Sequence, residues 1–228
     1  MKKNLCIIPV RGGSKGIPRK NLRNIYRKIT LLEWTINQAK EVFSKEDIII
    51  STEDSEMKEV AQSCNVRVID RPKYLAKDNS KTISVIDHLF KVFEKENINF
   101  NTFTILQVTS PLRLITNIKD AIKLINNYNY DSVISVYEDS KHPAKTYFIK
   151  KGNLEPVLPK YEYLQRQKLP KVVRRNGAIF SVNKDFYIQN KKLWGGRMGF
   201  ILMSKERSID IDTFDDLNKA RLFLENIK

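Results

Sequence analysis

Apolar residues in the first two-thirds of the chain follow two different spacings. Short continuous runs such as Leu5–Val10 are typical of strands buried on both faces, whereas the apolar positions within 31–43 recur on one face of a helix. This alternation predicts strands at 5–10, 47–51, 66–69, 102–107 and 132–137, and helices at 31–43, from the 51–54 loop to about Cys64, at 83–94 and at 117–126. Strands that alternate with helices form right-handed crossovers, so we expect an α/β fold with a mostly parallel sheet covered on both faces.

The pattern changes after Tyr137. Short strands are predicted at 145–150, 153–158 and 178–183, joined by turns that contain proline or glycine. A strand at 200–203 and a helix from Thr213 to about Asn226 then restore the earlier pattern. We therefore expect residues 1–137 plus 198–228 to form one core, with 138–197 as a smaller subdomain beside it.

Composition narrows the classes of protein. The 228 residues contain no apolar run long enough to cross a membrane, and Met1–Lys3 lead directly into the first predicted strand, which leaves no room for a signal peptide. Cys6 and Cys64 lack the spacing of metal ligands, so we expect reduced thiols in a cytoplasmic protein. The formal net charge is +15, but the 41 cations are dispersed, so the charge fits a solvated surface, a nucleic acid or small anionic ligands equally.

The loop after the first predicted strand concentrates the candidate chemistry. Its glycines allow backbone N–H groups to approach phosphate oxygens, and its cations, which include Arg19, supply countercharge. The glycine spacing fits neither the Walker pattern nor the dinucleotide pattern, so a lysine-rich surface turn remains the alternative to a polyphosphate site. The candidate phosphate-binding residues are Arg11, Gly12, Gly13, Ser14, Lys15, Lys20 and Asn21.

Further polar residues follow other predicted strands, at the edge where open α/β sheets bind ligands. Arg71 can neutralise a phosphate or hold a base and ribose, although alone it would be an ordinary surface arginine. Gln107 ends a strand with an amide suited to hydroxyl or N-acyl groups. Asp210 and Asp212 are two residues apart in an extended segment, so both can face one site and bind Mg²⁺ (or Mn²⁺), although surface acids are the default interpretation of such a pair.

The ordered motifs together resemble the CMP-N-acetylneuraminate (CMP-sialic acid) synthetase family, also called acylneuraminate cytidylyltransferases. The motifs are R-x-G-S-K-G-x-x-x-K-N at 11–21, R-P-x-x-L-A-x-D at 71–78, L-Q-x-T-S-P-x-R at 106–113, R-Q-x-L-P at 166–170, R-x-N-G-A-I-[YF] at 174–180 and D-I-D-T-x-x-D-L at 210–217. The resemblance implies a Rossmann-like three-layer nucleotidyltransferase core with a smaller dimerisation excursion. It also implies transfer of CMP from CTP to an acidic nine-carbon (nonulosonic) sugar, with release of pyrophosphate.

The resemblance also assigns roles to residues. It places Arg71, Ser80 and Thr82 near the nucleotide, together with the loop residues, and gives Lys15, Arg11, Asp210 and Asp212 the catalytic roles, the two aspartates as metal ligands. It implies a homodimer in which the subdomain crosses to the neighbouring active site. The implied sugar-binding residues are Gln107, Lys145, Arg166, Arg174 and Phe180, the last standing where the family often has tyrosine.

Two other functions remain open at this point. An enzyme that activates a different acidic sugar, such as Kdo, would share the first loop but should lack the segment at 174–180. A basic α/β protein that binds nucleic acid would need interleaved aromatic and cationic residues on one surface and would have no use for Asp210 and Asp212. The expected partners are therefore CTP and an acidic sugar, without nucleic acid or membrane, and the sequence does not distinguish N-acetylneuraminate, legionaminate and pseudaminate.

Overall fold

The computed structural model of the chain describes residues 3–226, so residues 1, 2, 227 and 228 of the predicted core lie outside the described part. The strands are β1 (Asn4–Pro9), β2 (Asn24–Tyr26), β3 (Ile29–Thr30), β4 (Ile48–Thr52), β5 (Arg67–Asp70), β6 (Thr102–Leu106), β7 (Ser132–Glu138), β8 (Tyr147–Lys150), β9 (Asn153–Pro156), β10 (Val173–Asn183) and β11 (Met198–Leu202). The α-helices are α1 (Leu31–Lys40), α2 (Ser55–Ser63), α3 (Thr82–Lys95), α4 (Ile115–Asn127), α5 (Lys184–Asn190) and α6 (Phe214–Asn226). Short 3-10 helices occupy Lys20–Leu22, Lys45–Asp47, Lys73–Ala76, Pro143–Lys145, Pro159–Tyr161 and Arg166–Lys168.

Seven strands form one central sheet in the order β11-β7-β10-β6-β1-β4-β5. All neighbouring pairs are parallel except those of β10, which runs antiparallel to both β6 and β7. Successive residues of β1 enter opposite cores, since Cys6 and Ile8 belong to one buried cluster and Leu5 and Ile7 to the other. The sheet is therefore covered on both faces, and the predicted mostly parallel α/β fold is confirmed.

The position of β10 corrects the predicted arrangement of segment 138–197. A strand was expected only at 178–183, inside a subdomain beside the core, but β10 starts at Val173 and lies in the middle of the central sheet. Its residues from Ala178 to Val182 are buried between both cores, which is the environment of a central strand. The sequence did not predict this placement, because the prolines and glycines before β10 indicate only local turns. They do not indicate which strands β10 pairs with.

Other differences are smaller. The β2–β3 hairpin and α5 were not predicted, and α1 ends at Lys40 rather than at residue 43. The strands β8 and β9 form a separate two-stranded hairpin outside the central sheet. Ile149 and Leu154, which pair directly across this hairpin, expose 81% and 66% of their surface, so one of its faces is apolar and open to solvent, and Phe148, on the opposite face, is 51% exposed. In the described part of the chain, none of the helices has the length and apolar content needed to span a membrane.

Candidate active site

Two adjoining cavities open at the edge of the sheet where the parallel strands β1 and β6 end. The loop cavity, of about 360 Å³, is lined by Pro9, Val10, Arg11, Gly13, Ser14, Lys20, Asn21, Arg71, Leu75, Lys77, Asp78, Ser80, Thr82, Val85, Gln107, Val108 and Thr109. The aromatic cavity, of about 660 Å³, is lined by Ser80, Lys81, Thr82, Ile83, Ile105, Gln107, Tyr137, Arg175, Asn176, Gly177, Phe180, Leu193, Trp194, Ser208 and Asp210. Ser80, Thr82 and Gln107 line both cavities, so the two form one continuous crevice.

Close backbone contacts hold the glycine-rich loop in place. The N–H of Gly12 donates to Glu53 Oε1 at 2.8 Å, and a Cβ added at Gly12 would lie 2.4 Å from Asp54 Oδ2. A Cβ added at Gly16 would lie 2.1 Å from the carbonyl oxygen of Asp212. The loop is therefore packed between the segment after β4 and the segment before α6, at distances that only glycine permits.

The four cations of this loop have different partners. Arg11 and Lys15 both contact Asp78, at 2.8 Å and 3.1 Å, and the hydrogen bonds from Lys15 and Arg11 lower the pKa of Asp78 below its ordinary value. Arg19 instead donates both Nη atoms to Asp54 and adopts a left-handed backbone conformation, with φ 56°. Arg19 therefore anchors the loop to the N-terminus of α2, whereas Arg11 lines the loop cavity and Lys15, which is 78% exposed, reaches it only through Asp78.

Lys20 links the loop to the segment before α6. Its side chain is largely buried, and Nζ contacts the carbonyl oxygen of Ile211 at 2.5 Å and Asp212 Oδ1 at 3.0 Å. Asn21 donates Nδ2 to the carbonyl oxygen of Arg11 at 3.0 Å, and its buried Oδ1 has no hydrogen-bond partner among the described residues. Buried polar atoms are usually hydrogen-bonded, so this oxygen can accept a hydrogen bond from a ligand in the loop cavity.

Arg71 contributes a buried positive charge to the loop cavity. Only 6% of its surface is exposed, and Nη2 donates to the carbonyl oxygen of Ser51 at 2.8 Å. Burial lowers the pKa of the guanidinium to about 10, partly opposed by the charge of Glu53. A charged group in this position is stabilised by an anion that enters the cavity.

Arg113 positions Gln107 at the junction of the two cavities. Arg113 is 2% exposed, and its guanidinium donates to the carbonyl oxygens of Gln107 at 2.8 Å and Ala178 at 2.7 Å, which joins the chain just after β6 to β10. Burial lowers the pKa of Arg113 to about 9. Sequence reasoning gave this residue no role, although it ends the motif at 106–113, because most of its partners, Gln38, Thr35 and the carbonyl oxygen of Ala178, lie far away in sequence.

Asp210 lines the aromatic cavity, whereas Asp212, two residues later on the segment that Lys20 contacts, is 75% exposed and lines neither cavity. Loss of solvent raises the pKa of Asp210, a hydrogen bond from Thr109 opposes this, and the charge of Asp212 adds to the rise. Two neighbouring carboxylates fit a Mg²⁺ ion that takes its remaining ligands from water and substrate phosphates. Across residues 3–226 there is no group of three or more His, Cys, Asp or Glu side chains arranged to hold a metal by themselves.

Three residues that the sequence assigned to sugar binding lie outside both cavities of their own chain. Lys145 donates to the carbonyl oxygen of Glu162, and Arg174 forms an ion pair with Asp139 at 2.6 Å. Arg166 borders a separate cavity near His142. Of the assigned set, Gln107 and Phe180 line the crevice, so the roles of Lys145, Arg166 and Arg174 stay predictions that require a second chain.

A glycine-rich, cationic loop at the carboxyl edge of a parallel sheet is typical of α/β proteins that bind phosphate-bearing ligands. The chain belongs to the cytidylyltransferase family, because the model of that family, described as "Cytidylyltransferase", matches residues 5–228.

Named relatives carry the same assignment. The chain is 34% identical over 217 residues to the N-acylneuraminate cytidylyltransferase of Streptococcus agalactiae serotype III (strain NEM316), a match that covers 94% of this chain and 51% of that protein. It is 26% identical over 224 residues to the pseudaminic acid cytidylyltransferase of Campylobacter jejuni subsp. jejuni serotype O:2 (strain ATCC 700819 / NCTC 11168), with 96% and 95% covered. The chain spans about half the length of the first relative, and the resemblance to acylneuraminate cytidylyltransferases is confirmed.

A solved structure shares the fold. The CMP:2-keto-3-deoxy-manno-octonic acid synthetase complexed with CTP superposes with a TM-score of 0.72 at 15% identity, covering 98% of each chain. At this identity the similarity demonstrates the fold alone.

Proposed function

We propose that this protein transfers CMP from CTP to a nonulosonic acid of the sialic type, giving a CMP-sugar and pyrophosphate. The observation that carries the proposal is the continuity of two chemically different cavities. The loop cavity combines Arg11 with a buried Arg71, which suits a nucleoside triphosphate. The aromatic cavity combines the amide of Gln107 with aromatic walls, which suits a sugar that carries both polar and apolar substituents.

The reaction places the anomeric hydroxyl of the sugar against the α-phosphorus of CTP, with pyrophosphate as the leaving group. Such transfers depend mainly on positioning and on neutralising charge. Arg11 and Lys15 neutralise the phosphates after the substrate replaces Asp78 as their ion-pair partner. Gln107 orients the sugar at the junction of the two cavities. Asp210 and Asp212 would hold Mg²⁺ (or Mn²⁺), which supplies positive charge to the phosphate oxygens.

We also propose that the protein is a homodimer, with each subdomain contributing to the neighbouring active site. The β8–β9 hairpin exposes Phe148, Ile149 and Leu154, which is an unusual surface for a hairpin in water. Lys145, Arg166 and Arg174 lie near this hairpin in sequence and outside the crevice of their own chain, so they would serve a partner. We propose a cytoplasmic location, where CTP is supplied and where thiols such as those of Cys6 and Cys64 stay reduced.

The test is pyrophosphate release from CTP over a panel of N-acetylneuraminate, legionaminate, pseudaminate and Kdo. We expect release to require both CTP and a nonulosonic acid, and to fall sharply with ATP, GTP or UTP. Release with Kdo alone would favour the other acidic-sugar class. Absence of release with every sugar, together with binding of mixed oligonucleotides in preference to CTP, would contradict the proposal and support a nucleic-acid-binding protein.

A further inference from the structure

Arg175 is a cation of the aromatic cavity that the reaction described above does not use. Its guanidinium carbon lies 3.8 Å from the centre of the Trp194 ring and 5.9 Å from the centre of the Phe180 ring. Its neighbour Arg174 is paired with Asp139, but the guanidinium of Arg175 has neither an acidic partner nor a hydrogen bond among residues 3–226. The ring contact engages the face of the guanidinium and leaves its N–H edge for a ligand.

The fold brings Arg175 to this wall through an irregularity of β10. Arg175 pairs with Val136 and Phe180 pairs with Ile134, so β10 advances five residues where β7 advances two. Residues five apart in a regular strand face opposite sides of the sheet, whereas the bulge turns both side chains toward Trp194. Gly177, with φ +81°, lies within this bulge.

Trp194 is itself held in place. The loop that follows it is anchored to the start of β7, because Ser132 Oγ donates to the carbonyl oxygen of Gly195 at 2.8 Å and also contacts its N–H at 3.0 Å. The ring stands 5.9 Å from the ring of Phe180. Arg175 is itself exposed, but its guanidinium rests on an aromatic ring that the fold positions.

This wall lies at the end of the crevice away from the loop cavity. Gln107 lines both cavities, whereas Arg175, Leu193 and Trp194 line only the aromatic cavity. Phe180 pairs with Ile105, which precedes Gln107 by two residues. Two residues of a strand span about 7 Å, so Phe180 lies about 7 Å farther from the sheet edge than Gln107. The anomeric hydroxyl and the adjoining carboxylate of a sugar must lie at the junction, beside the α-phosphate, so the wall contacts the remote substituents.

We propose that Arg175 is a specificity-determining residue that donates a hydrogen bond to the carbonyl oxygen of an acylamido substituent on the sugar. The inference rests on the proposed function and adds the substituent that this protein selects. A guanidinium only donates, and its surroundings of Phe180 and Leu193 are apolar, so the matching group has an acceptor next to an alkyl end. An acylamido group has both, whereas a hydroxyl group has no alkyl end.

The experiment compares two sugars on the same enzyme preparation. One is the panel sugar that the wild type uses best, and the other is its analogue with a hydroxyl group in place of the acylamido group. We expect Arg175→Ala to lower kcat/KM for the acylamido sugar by about tenfold or more, because a charged donor is lost, while the hydroxyl analogue changes by less than about twofold. KM for CTP should not change, and Arg175→Lys should give an intermediate loss.

Arg197→Ala is the matched control, because Arg197 also lies over an aromatic ring, that of Tyr130 at 5.0 Å, and lines neither cavity. This variant should leave the activity on both sugars unchanged. The ratio of the two activities does not depend on how much of a variant is folded. An active wild type whose Arg175→Ala variant loses both sugars equally, or neither, overturns the inference alone. A wild type that uses no sugar overturns the proposed function and the inference with it.

Discussion

Arg71 keeps its charge in a buried position beside the loop cavity. Its hydrogen-bond partners in the described part of the chain, the carbonyl oxygen and the hydroxyl of Ser51, are both neutral. Burial disfavours the charged form and lowers its pKa to about 10. An anionic ligand offsets this cost, so the residue favours a phosphate-bearing ligand over a neutral one.

Asp212 provides a test of the metal hypothesis. The side chain is 75% exposed, and asparagine retains an oxygen that can accept from Lys20, so Asp212→Asn should keep the fold. We expect turnover to fall by about 10²-fold or more, because a charge positioned at a reacting phosphate is worth about 3 kcal/mol. Turnover at saturating CTP and Mg²⁺, with the melting temperature of the same sample, measures this.

Asp215→Asn is the control for this change. Asp215 is also exposed and pairs with Lys219 within α6, so its substitution should leave turnover within about twofold of wild type. Near-normal turnover of Asp212→Asn, or activity that needs no divalent cation, would contradict the metal hypothesis.

Asp78 competes with the substrate for two cations. It contacts Arg11 and Lys15 at the distances of ion pairs, and a bound triphosphate would have to replace it. We expect Asp78→Asn to bind CTP about two- to fivefold more tightly, since exposed ion pairs are weak and their loss leaves both cations free for phosphate. Titration calorimetry at fixed ionic strength measures the change.

Asp70→Asn is the comparison, because Asp70 pairs with Lys58 and lines neither cavity. It should leave CTP affinity unchanged. Weaker CTP binding by Asp78→Asn would mean that this carboxylate orders the cations for the substrate instead of competing with it.

The glycine-rich loop depends on close packing at one of its glycines and not at another. A Cβ at Gly16 would meet the carbonyl oxygen of Asp212 at 2.1 Å, whereas a Cβ at Gly13 would have no atom within 4 Å. We expect Gly16→Ala to lower the free energy of unfolding by about 1–3 kcal/mol and to reduce turnover, because the loop must move away from the segment that contains Asp212. Gly13→Ala should keep the wild-type stability, and urea unfolding of both variants measures this. Equal stability of the two variants would mean that the loop moves freely.

The β8–β9 hairpin is the element that the dimer proposal needs most. Ile149 and Leu154 are directly paired across it, and both are mostly exposed. We expect Ile149→Asp to convert a dimer to monomers, because an unpaired charge at an apolar interface is costly to bury. Sedimentation velocity measures the change, with Leu222→Asp on α6, where Leu222 is 58% exposed, as the control. A wild type that sediments as a monomer would contradict the proposal.

The formal charge of +15 acts on the molecule as a field rather than through single contacts. Both proposed substrates are anions, so a positive protein raises their local concentration, and salt should weaken their capture. The loop cavity and the aromatic cavity meet at one edge of the sheet, so this field acts on both proposed substrates at one crevice.

Sharing of active sites between two subunits can be tested by mixing inactive variants. Asp212→Asn disables the crevice of its own chain, and Arg174→Ala removes a residue that would serve the partner. In a mixed dimer one crevice carries both defects and the other carries neither. Random exchange makes about half of the dimers mixed, so activity should return to about a quarter of wild type.

Confirmed subunit exchange without return of activity would mean that each site is built from one chain. In that case Arg174 acts only through its ion pair with Asp139. Each variant alone must first be shown to be inactive and folded, which turnover and melting temperature establish.

Local patterns in the sequence determined most of the strands and helices and the position of the glycine-rich loop. Buried parallel strands such as β1 and β6 are recognisable as mostly apolar runs, and amphipathic helices by apolar residues that recur every three to four positions. Both patterns are local, so they can be identified in the sequence without knowledge of distant contacts. The motifs also placed Arg11, Arg71 and Gln107 at ends of strands, and parallel strands bring their carboxyl ends to one edge.

Tertiary structure alone decided which distant residues meet. The insertion of β10 between β6 and β7, the contact of Lys20 with Asp212 and the clamp of Arg113 on Gln107 and Ala178 all join segments far apart in sequence. The bulge that turns Arg175 toward Trp194 likewise depends on the pairing with β7. Periodicity reports whether a residue faces a core, but the partner across that core is fixed only when the whole sheet closes, because pairing energies are non-local.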